Sequence, residues 1–234
     1  MTVATALRRT GPSGRFDPSL ITWHTAFWAA DPSWSNPGDG NAVSSWRDYS
    51  GNSRTATQGV GASQPTYRAS YASLNNQPAV EFGTSHYLAT PLFTLAQPLT
   101  ILAVARTSST AAQRWIASDI GGSSIALEQN RTTTATMYAG AFVDSSVTMD
   151  TSAHLVYGYF AGASSYIVTD ATKTTGSAGT SGIAGRSMIV GSDIATRSLN
   201  GGLAFLGVYA GNIESATNWA AFKAGITATY GVTT

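Results

Sequence analysis

The sequence predicts an all-β protein, an antiparallel sandwich or barrel closed by one C-terminal helix. Three observations predict it. Short segments rich in β-branched and aromatic residues recur about every ten residues, with Gly, Asn, Asp and Ser between them. No repeat at a fixed period appears, which argues against solenoids and propellers. One stretch alone, near the C-terminus, carries apolar residues at convincing helical spacing.

The elements follow in order. Residues 1–16 read as an arm or linker with few apolar groups, and residues 17–234 as one domain, since no hinge or charge block divides them. The strand segments are Leu20–Phe27, Ala79–Phe82, Leu99–Arg106, Arg114–Ser118, Ile125–Gln129, Thr136–Ala139, His154–Phe160, Tyr166–Thr169, Met188–Gly191 and Leu203–Tyr209. In Leu99–Arg106 both alternating faces are mostly apolar, as in a strand covered on both sides. His154–Phe160 divides into Leu155, Tyr157 and Tyr159 on one face and His154, Val156 and Phe160 on the other. Thr172–Gly185 has no apolar anchor before Ile183 and reads as a mobile loop or hairpin end. In Ser215–Tyr230, Trp219, Phe222, Ile226 and Tyr230 form one helical stripe, with Ser215 or Thr217 as cap and Gly231 beyond the end. Gly225 weakens the middle of that helix by roughly 1 kcal/mol.

Between these elements lies an aromatic-rich stretch. Trp23, Phe27, Trp28, Trp34 and Trp46 fall within 24 residues, interleaved with Asp31, Pro32, Pro37, Gly38, Asp39 and Gly40. These rings fill the core end of a long loop or form a platform on which sugars stack.

Composition narrows the function. Of 234 residues 11% are charged, against about a quarter in ordinary domains, and the net charge is +1. No strong field attracts nucleic acid or anionic lipid. The chain contains no cysteine, which excludes disulfides, thiolate metal sites and cysteine nucleophiles. No signal peptide and no transmembrane segment is expected, because neither an apolar leader nor a run of about 20 apolar residues is present.

Several motifs together resemble a known family. Asp17-Pro18-Ser19-Leu20 opens the domain; Val43–Asn52 (VSSWRDYSGN), Ala56-Thr57-Gln58, Gln64–Tyr67 (QPTY), Asn76–Gly83 (NQPAVEFG) and Tyr87-Leu88 follow. This order resembles the N-terminal half of concanavalin A-like (laminin-G-like) domains of phage virion proteins and bacterial surface proteins. Leu203–Tyr209 and a helix running into Ala228-Thr229-Tyr230-Gly231-Val232 resemble that family's last strand and closing helix. The resemblance covers about residues 17–232 and implies a jelly-roll β-sandwich. Beside it stands a physical reading: Trp46 anchors the core, and Arg47 and Asp48 pair or brace the turn at Ser50-Gly51-Asn52.

Catalytic chemistry is sparse. Some enzymes of this fold carry Glu-x-Asp-x-x-Glu on one strand, but Glu81, Glu128 and Glu214 have no acidic residue at i+2. Carboxylates distant in sequence, such as Glu128 and Asp144, remain able to meet. His24, His86 and His154 are isolated, so no zinc site is expected, and His154 reads as a packed or hydrogen-bonded residue. No cofactor is expected. Calcium is the open case, with Asp119, Asn130, Asp144 and Asp193 as oxygen donors. For sugar binding the candidates are Trp115, Asp119, Asn130 and Tyr138, an aromatic-and-polar set that neighbouring hairpins of a meander bring to one rim. Trp115 as a core residue is the competing reading.

The resemblance, without the catalytic motif, implies a module that is not an enzyme. The expected function is that of a phage virion surface protein of the tail or capsid, contacting host carbohydrate. It would assemble as a homo-oligomer with other virion proteins and bind neither nucleic acid nor membrane. A purely structural or decoration virion protein is the alternative, and a glycan-cleaving enzyme with an unrecognised carboxylate pair is a third.

Overall fold

The structure is a computed structural model. It describes residues 15–108, 114–119, 124–129, 133–193 and 197–234, and only the backbone of Arg114 and Trp115. Among the described residues the strands are β1 (Thr25–Trp28), β2 (Ser45–Trp46), β3 (Ala56–Thr57), β4 (Thr66–Tyr71), β5 (Gln77–Phe82), β6 (Leu88–Ala89), β7 (Phe93–Leu95), β8 (Leu99–Thr107) and β9 (Arg114–Asp119). They continue with β10 (Ala126–Gln129), β11 (Thr134–Tyr138), β12 (Phe142–Thr148), β13 (His154–Phe160), β14 (Ser165–Thr169), β15 (Thr172–Gly176), β16 (Ile183–Arg186), β17 (Met188–Val190) and β18 (Gly201–Ala210). One α-helix, α1 (Trp219–Tyr230), follows.

Two eight-stranded antiparallel sheets form an all-β sandwich. The helix-side sheet runs β15–β14–β13–β8–β18–β5–β4, with β1 paired to β18. The outer sheet runs β12–β11–β10–β9–β17–β6–β3–β2, and β7 and β16 make a separate pair. Between the sheets Phe82, Ile101, Ala103, Val156 and Phe160 meet Trp46, Ile116, Leu127, Met137 and Val190 in one apolar core. A second core lies on the far face of the helix-side sheet, where Leu102, Val104, Leu155, Tyr157 and Phe205 pack under Trp219, Phe222, Ile226 and Tyr230 of α1. The molecule is therefore layered as outer sheet, helix-side sheet and helix. This is why both faces of β8 are apolar: Leu99, Ile101, Ala103 and Ala105 serve the first core, Leu102 and Val104 the second.

β18 divides its residues the same way with one irregularity. Its register against β8 shifts between Leu203 and Phe205. This bulge places Ala204 and Phe205 together in the helix-side core, while Leu203 and Leu206 stay between the sheets. Two residues later Gly207 leaves room for Trp23: a Cβ there would stand 2.4 Å from the indole ring.

Several sequence expectations are revised. Leu20–Phe27 is not one strand. Pro18–Leu20 is a turn of 3-10 helix with Asp17 accepting from Ser19 N, and only Thr25–Trp28 pairs with β18. The helix begins at Trp219, not Ser215, because Ile213–Ser215 forms its own 3-10 turn capped by Asn212. Thr172–Gly185 is not a loop throughout. Thr172–Gly176 pairs with all of β14, and Ile183 begins β16. Its polar side chains stand at the sheet's edge, where backbone pairing needs no apolar face. Phe16, read as the last residue of the arm, is buried edge-on against Trp28, Phe205, Phe222 and Tyr230. It crosses α1 at Gly225, where a Cβ would stand 3.1 Å from Phe16 Cα. The helix-weakening glycine is thus the place where the chain passes over the helix.

Candidate functional site

The aromatic-rich stretch is structural. Trp23, Phe27, Trp34 and Trp46 are all buried, Trp23 under α1 and the other three between the sheets. The turn after Trp46 is braced by Asp48, whose carboxylate accepts from the backbone N–H groups of Ala26, Ser50 and Arg54. Arg47 pairs with the buried Asp31 at 2.8 Å rather than with its neighbour. None of these rings is offered as a platform, apart from the half-buried Trp28, which packs on Tyr49 and Phe16.

The outer sheet has a different character at the β9–β12 meander. Its inward residues Leu127, Met137 and Val143 sit in register with one another and line the core. Residues alternate across a strand, so those between them belong to the opposite face. Two rows result. In the first, Glu128 pairs with Thr136, which pairs with Asp144. In the second, Ala126 pairs with Tyr138, which pairs with Phe142. The Tyr138 and Phe142 rings lie 4.7 Å apart at 41°. Thr136 Oγ1 donates to Asp144 Oδ1 at 2.6 Å. Glu128 is 2% and Thr136 0% exposed, whereas Asp144 is exposed and Phe142 is 45% exposed. The face is thus closed at β10 and open at the edge strand β12. Adjacent strands are about 4.8 Å apart, so Glu128 and Asp144 spring from backbones roughly 9.5 Å apart.

The four residues expected at a sugar site do not stay together. Tyr138 is half-buried on the outer face beside Phe142. Asp119 is fully buried and belongs to the register of the core residue Met188. Its Oδ1 accepts from Ser124 N and Ile125 N, and Arg186 Nη1 lies 3.2 Å from Oδ2. It braces its own hairpin and offers no oxygen to a sugar. The side chain of Trp115 and all of Asn130 lie outside the described residues. The sequence does not single out Thr136 or Phe142 as ligand contacts; it offers Glu128 and Asp144 as carboxylates able to meet and Asp144 as a calcium donor. The available signal was Tyr138-Ala-Gly-Ala-Phe142, a hairpin that sets two aromatic rings opposite each other.

The calcium donors do not fit an ion site. Asp119 is paired with Arg186 and Asp193 with Arg197, Asp144 is exposed on the edge strand β12, and Asn130 lies outside the described residues. Among the described residues no group of three His, Cys, Asp or Glu side chains is placed to hold a metal ion. His86 Nδ1 accepts from Gly83 N, and burial lowers its pKa. His24 is lowered too, by burial first and by Arg54 second. Among the described residues no helix is long and apolar enough to cross a membrane.

No family model matches the chain, and no curated protein matches it. Solved structures do. Trypanosoma rangeli sialidase in complex with sialic acid matches at 10% identity over 86% of this chain and 32% of its own, with a TM-score of 0.55. Domain 4 of AbnA, a GH43 extracellular arabinanase from Geobacillus stearothermophilus in complex with arabinotriose, matches at 10% identity over 74% of this chain and 91% of its own, TM-score 0.55. An arabinofuranosidase complexed with arabinofuranosyl-alpha-1,2-xylobiose matches at 12% identity over 82% of this chain and 52% of its own, TM-score 0.61. The chain thus spans about a third of the sialidase and about half of the arabinofuranosidase. At such identities the likeness establishes the fold alone. The expectation that the chain is not an enzyme is nevertheless overturned, since all three matches are glycosidases or a domain of one. A missing Glu-x-Asp-x-x-Glu motif is no ground for excluding glycan cleavage from a sandwich of this kind.

Proposed function

We propose that this chain is a concanavalin A-like jelly-roll domain that recognises glycan on the outer face of the β10–β12 meander. One observation carries the reading: the register that sets Glu128, Thr136 and Asp144 in a row also sets the exposed Phe142 ring beside Tyr138. Sugar recognition needs an aromatic face for C–H groups and a few fixed polar groups for hydroxyls. Phe142 and Tyr138 supply the first, Asp144 held by Thr136 the second. The virion setting expected from the sequence plays no part in this reading. The test is calorimetric titration with arabino- and xylo-oligosaccharides, since two of the similar structures hold sugars of those kinds. Wild-type binding that is lost in Phe142→Ala and Asp144→Ala supports it; affinity unchanged in both variants refutes it.

The same row favours a second reading, glycan cleavage. Inverting glycoside hydrolysis uses two carboxyl groups about 6.5–9.5 Å apart, one giving a proton to the leaving oxygen and the other taking one from water. Two strand spacings, about 9.5 Å, separate the backbones of Glu128 and Asp144, and both side chains leave on the outer face. In this reading Asp144, exposed and accepting from Thr136, is the base and the buried Glu128 the acid. Release of reducing ends that disappears in both Glu128→Gln and Asp144→Asn would support this; equal release by wild type and variants would refute it.

A further inference from the structure

We infer that Gln97 is a positioning residue of the glycan face: its side-chain amide holds residues 178–181 against the β11–β12 hairpin, and through them sets the Tyr138 and Phe142 rings. Its bearing on affinity rests on the glycan reading; the placing of the rings rests on geometry alone.

The hairpin is not closed firmly by its own bonds. Tyr138 ends β11 and Phe142 opens β12, with Ala139, Gly140 and Ala141 between them. Across this turn the Ala139 N–H reaches Ala141 O at 3.4 Å, a long contact. The same N–H donates to Ala178 O at 2.8 Å, and the Ala141 N–H donates to Ala178 O at 2.9 Å. Ser181 N in turn donates to Ala139 O at 3.0 Å. The two alanines that flank Gly140 are thus tied to a distant segment more tightly than to each other. That segment comes close. Gly179 has φ +89°, in the left-handed region, and a Cβ there would stand 2.3 Å from Ala139 O. At the end of β15 a Cβ on Gly176 would stand 2.9 Å from Val143 Cγ2, so the chain runs along β12 with no side chain between them. Ala178 itself is fully buried in the core between the sheets.

Gln97 grips the segment from the connection between β7 and β8. Its Nε2 donates to Ser181 O at 2.6 Å and to Gly179 O at 3.1 Å, and its Oε1 accepts from Gly162 N at 2.7 Å. A primary amide carries two N–H donors and one acceptor oxygen, and all three are used here. Two carbonyls and one N–H as partners also fix which way round the amide sits. The carbonyls of residues 179 and 181 thus serve Gln97, while the carbonyl of 178 and the N–H of 181 serve the hairpin. A glutamate at this position keeps the size of the side chain and its contact with Gly162 N. It also turns a second carboxylate oxygen toward two carbonyl oxygens, which repels the segment the amide holds.

The test compares Gln97→Glu with Gly207→Ala, which strains the helix-side sheet away from the hairpin, in the full chain. Two quantities are read. One is the nuclear Overhauser effect between the Tyr138 and Phe142 ring protons, whose ring centroids lie 4.7 Å apart. The other is affinity for arabino-oligosaccharide. In Gln97→Glu the ring-to-ring effect should weaken and affinity should fall about tenfold, as far as in Phe142→Ala. In Gly207→Ala stability should fall while both quantities stay at their wild-type values. Gln97→Met, which keeps the length without charge and loses all three hydrogen bonds, should act in the same direction as Gln97→Glu and serves if that variant does not fold. A ring-to-ring effect unchanged in both Gln97 variants would overturn the inference, as would an equal change in Gly207→Ala, which would mark a general loosening. Affinity that holds while the ring-to-ring effect is lost would overturn the role of Gln97 in binding. No binding by wild type, with the ring-to-ring effect lost only in the Gln97 variants, removes the glycan reading and leaves the placing of the rings by Gln97 standing.

Discussion

The two sheet faces that look away from the sandwich core carry similar side chains and meet different fates. On the helix-side sheet, Phe205 and Tyr157 are sealed beneath Trp219 and Phe222, with Phe16 and Trp23 filling the remaining space edge-on. On the outer sheet, the Tyr138 and Phe142 rings meet at a tilt with Phe142 open to solvent and a threonine–carboxylate pair alongside. Both are alternate faces of antiparallel strands. What differs is the third layer: a helix and two chain crossings cover one face, whereas the edge strand β12 leaves Phe142 and Asp144 of the other exposed. Aromatic residues on a strand do not distinguish a core from a site; what is laid over them does.

The largest expected effect tests the sealed face. Phe222→Ala removes a fully buried ring that touches Phe16, Trp23, Phe205 and Trp219. It should cost about 3–5 kcal/mol in urea denaturation. Trp46→Ala, in the core between the sheets, should cost a similar amount. A loss under about 1 kcal/mol for Phe222→Ala would mean that the helix is an appendage, and the contrast between the faces would disappear.

A smaller loss is expected at the close approach of Trp23. Gly207→Ala should cost about 1–3 kcal/mol through overpacking, because the Trp23 ring packs on Phe205 and Phe222 and its Nε1 donates to Pro18 O. If thermal unfolding of this variant matches wild type, the packing of Trp23 over β18 is looser than the structure shows.

On the open face the expectation is reversed. Phe142→Ala should change stability by no more than about 0.5 kcal/mol, as for an exposed side chain. Its affinity for oligosaccharide should nonetheless fall about tenfold, the equivalent of about 1.4 kcal/mol. A variant that loses as much stability as Phe222→Ala would make this face another piece of core.

The smallest effect is the pH dependence of stability near His154. Its pKa is raised on folding, so it contributes stability that is fully present below the ordinary 6.5 and is lost as pH rises through the folded value. Asp150 is lowered, chiefly by the Ser152 backbone N–H, so its contribution is present above the ordinary 3.8 and is lost as pH falls through the folded value. Both contributions are therefore complete between about pH 4 and 6.5. Urea midpoints at pH 5.5 and 8.5 should differ for wild type and less for His154→Gln; an equal difference in both would assign the pH dependence to other groups.

How far the sequence was legible depended on burial. His154–Phe160 was read with its bounds and both faces correct, because Val156 and Phe160 belong to one core and Leu155, Tyr157 and Tyr159 to the other. β15 was read as part of a mobile loop or hairpin end because Thr172–Gly176 lies at a sheet edge and its side chains carry no pattern. β12 escaped for the same reason, since Asp144 and Ser146 are exposed and Ser145 lies between them. The candidate site fell in that gap. Tyr138 was named because it lies on a recognisable strand, and its partner Phe142 was missed because it opens an edge strand. Asp119 was misassigned because a carboxylate at a strand end looks the same in sequence whether it faces a ligand or braces its own hairpin.

The sequence alone determined the all-β class, the two-faced central strands and the apolar stripe of the terminal helix, because apolar burial leaves a period in the residue order. Three things were decided by tertiary structure: which core each face of β8 serves, the passage of Phe16 over Gly225, and the meeting of Glu128, Thr136 and Asp144. The first two depend on the stacking of segments far apart in the chain, and the third on the register of consecutive hairpins. Backbone hydrogen bonds fix that register, and every residue type except proline supplies the same donor and acceptor, so the residue order does not record it.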